Sequence, residues 1–173
     1  MEIVNFENSG LITNLEVAEY LYSDFPLHHV EKIAKIEYID IYMKYDGPQP
    51  RSDTISPFIK NTLGECELDE NTSSYLIRIY RQSPEGSHDL EKIKITIAHE
   101  VAHVVYAELP FESHQLWLQL DKKNIARIKA RLTTENNFVE HYVAYIKNSK
   151  YVKEAFSDEY IFMRDRVFCG REY

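Results

Sequence analysis

Apolar and polar positions follow a different period in each half of the chain. Thr13 and Glu16 stand three apart at the start of "TNLEVAEYLYSDF", a capping-box pattern that predicts a short helix. The β-branched and aromatic run "IEYIDIYM" predicts a strand over 36–43. "LGECEL" and "SSYLIRIYR", joined by the polar turn "DENT", predict a hairpin. "KYDGPQPRSD" between them, with Asp-Gly and two prolines, predicts a loop.

From residue 90 the apolar positions recur at spacings of three and four, which predicts a helix to about Glu108 with Asp89 as its N-cap. Its stripe consists of Leu90, Ile93, Ile97, Val101 and Val104. Further helices are expected over 113–132, over 134–148 and from Ser157 onward. Strands followed by helices indicate an α+β fold, a single domain over 1–173 with helices and a sheet in 1–88 and a helical half in 89–173.

Composition narrows the classes of function. The net charge of −8 argues against general nucleic-acid binding, which needs a clustered basic face. Cys66 and Cys169 are too few for a disulfide framework or a cysteine zinc site. The start lacks the pattern of a secretory signal, and no apolar run reaches membrane-spanning length, so we expect a cytoplasmic protein with no membrane partner.

The segment "AHEVAH" carries the candidate chemistry. His99 and His103 are one helical turn apart, about 6 Å at Cβ, a spacing at which two imidazoles can bind one zinc ion. Glu100 is rotated by about one hundred degrees, so it lies beside the metal position. There it can act as general base toward a water activated by zinc.

The competing interpretation is a pair of core histidines that share a helix. However, the two histidines lie roughly opposite the apolar stripe, on a face shared with Ala102 and Tyr106. The pattern therefore favours a metal site over two packed core side chains.

With His99-Glu100-Val101-Ala102-His103, the chain resembles the zincin metallopeptidases, whose signature is H-E-x-x-H. The resemblance implies a small mixed sheet of three to four strands packed on the signature helix. It also implies a protein or peptide substrate aligned along an edge strand. "SSYLIRIYR" is the candidate for that strand.

A third zinc ligand must come from elsewhere in the chain. The longer metzincin motif is absent, because Glu108 and Leu109 stand where it would continue and no glycine follows. The segment "TTENNFVEHYVAYIKN" offers Glu135, Glu140 and His141. On the helical pattern, His141 points to solvent, Glu135 lies within the apolar face and Glu140 lies on its flank.

Residues 75–168 resemble the anthrax-lethal-factor-like and phage-associated gluzincins, and more weakly the ImmA/IrrE peptidases, through "NNFVEHYVAYIKN". That resemblance places the zinc-binding glutamate of the family on Asn136 and its second acidic residue on Glu140. A carboxylate is the better zinc ligand and both positions share a helix side, so Glu140 is the predicted ligand, with Glu135 and Asn136 as alternatives. The tyrosine that often stabilises the oxyanion in this family has no counterpart between Tyr106 and Tyr142.

These patterns predict a zinc endopeptidase with His99, His103 and Glu140 as ligands and Glu100 as base. One alternative is a non-catalytic zinc-binding regulatory or binding module, which Asn136 and the missing tyrosine would suit. Another is a toxin-like peptidase acting on one host protein. The sequence does not separate a toxin from a housekeeping peptidase.

Overall fold

The computed structural model describes residues 1–42, 63–81, 89–124 and 133–173. The chain forms two compact units, Met1–Val104 and Val105–Tyr173. The predicted loop over 44–53, and the end of the helix predicted over 113–132, fall outside the described residues.

The four strands that the described residues form all lie in the first unit. Its elements are β1 (Glu2–Val4), a 3₁₀ turn (Phe6–Ser9), α1 (Asn14–Asp24), α2 (Leu27–Val30), β2 (Ile33–Tyr42), β3 (Gly64–Asp69), β4 (Ser74–Arg81) and most of α3 (Leu90–Ala107). The predicted capping box is present, with the Thr13 hydroxyl accepting from the Glu16 backbone N–H at 3.2 Å. The Asp89 carboxylate accepts from the Glu91 backbone N–H at 3.0 Å, which confirms it as the N-cap of α3.

The strands form one mixed sheet in the order β1, β2, β4, β3. β1 and β2, and β2 and β4, are parallel, whereas β3 and β4 form the predicted antiparallel hairpin. Period-two alternation buries Ile36, Tyr38, Ile77 and Ile79 on one face. The α+β prediction with a small mixed sheet is therefore confirmed.

The predicted place of "SSYLIRIYR" in this sheet is wrong. Those residues form β4, which lies between β2 and β3 and is not an edge strand. Tyr75, Ile77 and Ile79 are buried on one face and Tyr80 on the other, while the remaining positions are half-buried, a pattern that suits an interior strand. Among the described residues, the sheet ends on that side with the more polar β3, which has carboxylates at Glu65, Glu67 and Asp69.

The second unit is helical. It contains the end of α3, α4 (Phe111–Asn124), α5 (Thr134–Ala155), α6 (Ser157–Phe162) and a π-helical turn (Met163–Val167). α5 bends at Asn148, whose φ and ψ of −164° and 79° are not helical and whose Oδ1 accepts from the Tyr151 N–H. Among the described residues of this unit, the fully buried aromatic side chains are Trp117, Phe138, Tyr142, Tyr145 and Phe168. In the described part of the chain, no helix has the length and apolar character that crossing a membrane requires.

Candidate metal centre

The histidines of the signature lie together on α3. The ring centroids of His99 and His103 are 5.1 Å apart, with the ring planes inclined at 68°. Both side chains are half-buried, whereas Ile93, Ile97 and Val101 on the apolar stripe of the helix are fully buried. Leu90 at the start of that stripe is the exception, with 40% of its surface exposed. The histidines are thus less deeply buried than the stripe, as predicted, although Ala102, which was expected on the histidine face, is fully buried.

His99 is held in its neutral form. Burial, and then the neighbouring His103, lower the pKa of His99 to about 4. A neutral imidazole keeps a nitrogen lone pair, which is the form that binds a metal ion. At neutral pH this side chain is therefore a competent metal ligand.

Glu100 is an unusual buried carboxyl group. Only 5% of its surface is exposed, and no hydrogen bond or ion pair joins it to any residue that the structure describes. Burial, and then the negative charge of Glu65, raise the pKa of Glu100 to about 8. A buried acid without a partner costs several kcal/mol when it ionises, so such groups are rare except where they have a function.

The first residue of β3 packs directly on Glu100. A Cβ atom built on Gly64 would lie 2.7 Å from Glu100 Oε1, 2.8 Å from Glu100 Cγ and 2.9 Å from Thr96 Cγ2. The strand therefore approaches α3 as closely as a glycine allows. The sequence predictions did not include Gly64, although a glycine inside a strand pattern is a known sign of close backbone approach.

An ion cluster fixes the charge next to Glu100. Arg78 on β4 donates to Glu65 at 2.7 Å, to Glu67 at 3.0 Å and to Glu37 at 3.1 Å. Burial alone would raise the pKa of Glu65, but hydrogen bonds from Tyr80 and Arg78 lower it below its ordinary value. Glu65 is therefore negatively charged at neutral pH and favours the protonated form of Glu100.

The residues predicted as a third ligand lie in the second unit, on the first two turns of α5. Glu140 and Glu135 are exposed and Asn136 is half-buried. Desolvation by the surrounding protein raises the pKa of Glu140, and the electrostatic effect of His141 lowers it in part. Glu135 lies near the Tyr106 hydroxyl, where it contributes to the raised pKa of that group after burial itself. The expectation that Glu135 lies within the apolar face of the helix is wrong.

His141 is buried, so the expectation that it points to solvent is also wrong. Its Nδ1 lies 2.9 Å from the Asn137 carbonyl oxygen, and its ring packs against Trp117 and Phe156. A polar network joins the neighbouring residues of α5 to α4. Buried Asp121 on α4 accepts from the Asn137 side chain at 2.7 Å and from the Thr134 hydroxyl at 2.6 Å.

The donor set on α3 fits part of a metal site. Two imidazoles one turn apart match two of the nitrogen ligands that zinc takes in catalytic sites. Within the described residues, no group of three or more His, Cys, Asp or Glu side chains is close enough to hold a metal ion. The zinc site and the ligand role of Glu140 therefore stay predictions.

Comparisons with known proteins add no assignment. The chain matches no protein-family model, no curated protein and no solved structure.

Proposed function

We propose that this protein is a zinc-dependent endopeptidase. In this proposal His99 and His103 bind zinc, Glu140 completes the protein ligands and Glu100 is the general base. The predicted substrate is a peptide or protein, and the predicted location is the cytoplasm.

One observation carries the proposal. Glu100 is buried and unpaired among the described residues, and it stands directly beside a histidine in the neutral, metal-binding form. Two core histidines would need no ionisable acid between them, and burying one without a partner would only destabilise the fold. A metal-dependent hydrolytic centre explains why all three residue types occur at this spacing.

The residues of the chain have distinct tasks in this chemistry. Zinc, when bound, would polarise the scissile carbonyl and make water acidic enough to attack near neutral pH. Glu100 would accept one proton of that water as its oxygen bonds to the carbonyl carbon, and would then deliver it to the departing amine nitrogen as the C–N bond breaks. In the metal-free chain a pKa of about 8 favours the protonated acid at neutral pH, and the positive charge of bound zinc would favour the carboxylate form that accepts this proton.

The decisive experiment combines metal analysis with cleavage of a peptide library. We expect the purified wild type to hold about one zinc ion per chain and to cleave peptides, with chelation abolishing cleavage. Glu100→Gln should keep zinc and lose cleavage, whereas His99→Ala should lose both. Cleavage that persists in Glu100→Gln, or a wild type that takes up no zinc when it is supplied, would refute the proposal.

The third ligand is tested separately. Glu140→Gln should lower zinc affinity, and Glu135→Gln is the matched control on the same helix. Because position 136 shares a helix side with Glu140, Asn136→Glu should restore zinc binding to the Glu140→Gln variant. Loss of zinc in Glu135→Gln but not in Glu140→Gln would assign the ligand to Glu135 and contradict this part.

A second candidate function is a non-catalytic zinc-binding regulatory or binding module. It has one observation in its favour: Asn136 stands where the resembled gluzincins have their zinc-binding glutamate. A chain that binds zinc through His99 and His103 and cleaves no peptide of the library would favour this module over the peptidase.

A further inference from the structure

The close contact between β3 and α3 explains why residue 64 is a glycine. Its backbone conformation alone would not require one. In the described part of the chain, the glycines with positive φ are Gly10 and Gly170, so Gly64 does not occupy the left-handed region. Its lack of a side chain matters for space. Three atoms of Glu100 and Thr96 fill the position that a Cβ would take.

The contact determines where the Glu100 carboxyl group can lie. Carbon atoms in contact are about 3.5–4.0 Å apart, so an added methyl group at 2.7–2.9 Å from its neighbours would have to displace them. The end of a flexible side chain could move at little cost. Glu100 Cγ, however, is close to the backbone, and moving it changes the direction of the whole carboxyl group.

We propose that Gly64 is the positioning residue of the general base. Strand β3, which has no side chain at this position, packs on Glu100 and fixes its carboxyl group. This inference rests on the proposed peptidase function. Gly64 itself would touch neither metal nor substrate and would act only through Glu100.

The test is Gly64→Ala in the full chain, with zinc content, kcat and KM measured on a peptide that the wild type cleaves. Displacement of a catalytic group by about 1 Å can cost on the order of 10²-fold in rate, so we expect kcat to fall by about that factor. KM and zinc content should stay close to the wild-type values, because His99 and His103 are not displaced.

Two further variants separate positioning from a general loss of stability. Gly10→Ala also strains the fold, since Gly10 has a φ of +69°, but its added Cβ would meet nothing within 4 Å. It should lower Tm and leave kcat unchanged. Thr96→Ser in the Gly64→Ala background removes the Thr96 methyl group and keeps the hydroxyl that donates to the Lys92 carbonyl oxygen. It should recover part of the Tm and none of the lost kcat.

A measurement without catalysis tests the contact itself. Gly64→Ala should lower Tm by on the order of 5 °C in the wild type and much less in a Glu100→Ala background, where Cγ and the carboxyl group are gone. If Gly64→Ala alone does not fold, recovery of folding in the double variant shows the same coupling.

The outcomes are distinguishable. A wild type that cleaves peptides while zinc-loaded Gly64→Ala keeps its full kcat overturns this inference and leaves the proposed function intact. Equal Tm losses in the two backgrounds overturn it as well. A wild type that cleaves nothing overturns the proposed function and the positioning role together.

Discussion

Replacing Glu100 by glutamine should change how the stability of the metal-free chain depends on pH. The pKa of Glu100 is raised from 4.5 in the unfolded chain to about 8 in the folded chain. The folded state therefore holds a proton that the unfolded state releases over this interval. The stability that this carboxyl group contributes is fully present below pH 4.5 and is lost as the pH rises to about 8.

The size of the effect follows from the pKa difference. At about 1.4 kcal/mol for each pH unit, the loss reaches about 3 kcal/mol at pH 7 and about 4 kcal/mol at pH 8, where the folded-state group is itself half-ionised. Glutamine cannot ionise, so Glu100→Gln should not show this loss. Any constant cost of burying the amide shifts its curve without changing the slope.

Urea unfolding in the presence of a chelator measures this difference. The free energy of unfolding of Glu100→Gln minus that of the wild type should grow steadily between pH 4.5 and pH 8. Glu91→Gln, on the exposed first turn of the same helix, is the control and should stay within about 0.5 kcal/mol of the wild type. Parallel curves for Glu100→Gln and the wild type would refute the description of Glu100 as a buried, unpaired acid.

Three other substitutions test contacts inside each unit by their change in unfolding free energy. Asp121→Ala should cost about 3 kcal/mol, because two side-chain donors on α5 lose their buried acceptor; a loss below about 1 kcal/mol would contradict that network. Tyr145→Phe should cost about 1 kcal/mol through the lost 2.8 Å hydrogen bond to the Arg171 carbonyl oxygen, and an unchanged stability would show that bond to be dispensable. Thr13→Ala should cost about 1 kcal/mol by removing the cap of α1, and no change would mean that the capping box is not formed.

The elements that depend on local sequence were predictable. The capping box at Thr13, the N-cap at Asp89 and the hairpin of β3 and β4 are each determined by residues within a few positions. The bend of α5 at Asn148 coincides with the predicted end of that helix. The spacing of His99 and His103 is likewise a property of one helix, so their proximity followed from the sequence alone.

Features that depend on which elements are neighbours were not predictable in the same way. Strand order is set by long-range pairing, which the local sequence does not report. The resemblance to zincins placed β4 at an edge, whereas it lies inside the sheet. β1, with three residues, is too short to give a periodic signal. The contact of Gly64 with Glu100 joins two elements that are separated by a whole strand and a connection, and no spacing rule reports it.

The misplacement of His141 has a physical cause that bears on the third ligand. Amphipathic reasoning counts polar residues as exposed, but Asn137 and His141 are buried. Asp121 accepts from the Asn137 side chain and the Asn137 carbonyl oxygen lies 2.9 Å from His141 Nδ1, whereas His141 Nε2 has no hydrogen-bond partner among the described residues. The buried side of α5 is therefore rotated toward these residues and away from Glu140. Glu140 is left exposed, on the side of the helix that it shares with position 136, where a carboxylate is free of the core network. Glu140→Gln, with Asn136→Glu as its rescue, therefore tests the predicted ligand without removing any hydrogen bond of the Asp121 network.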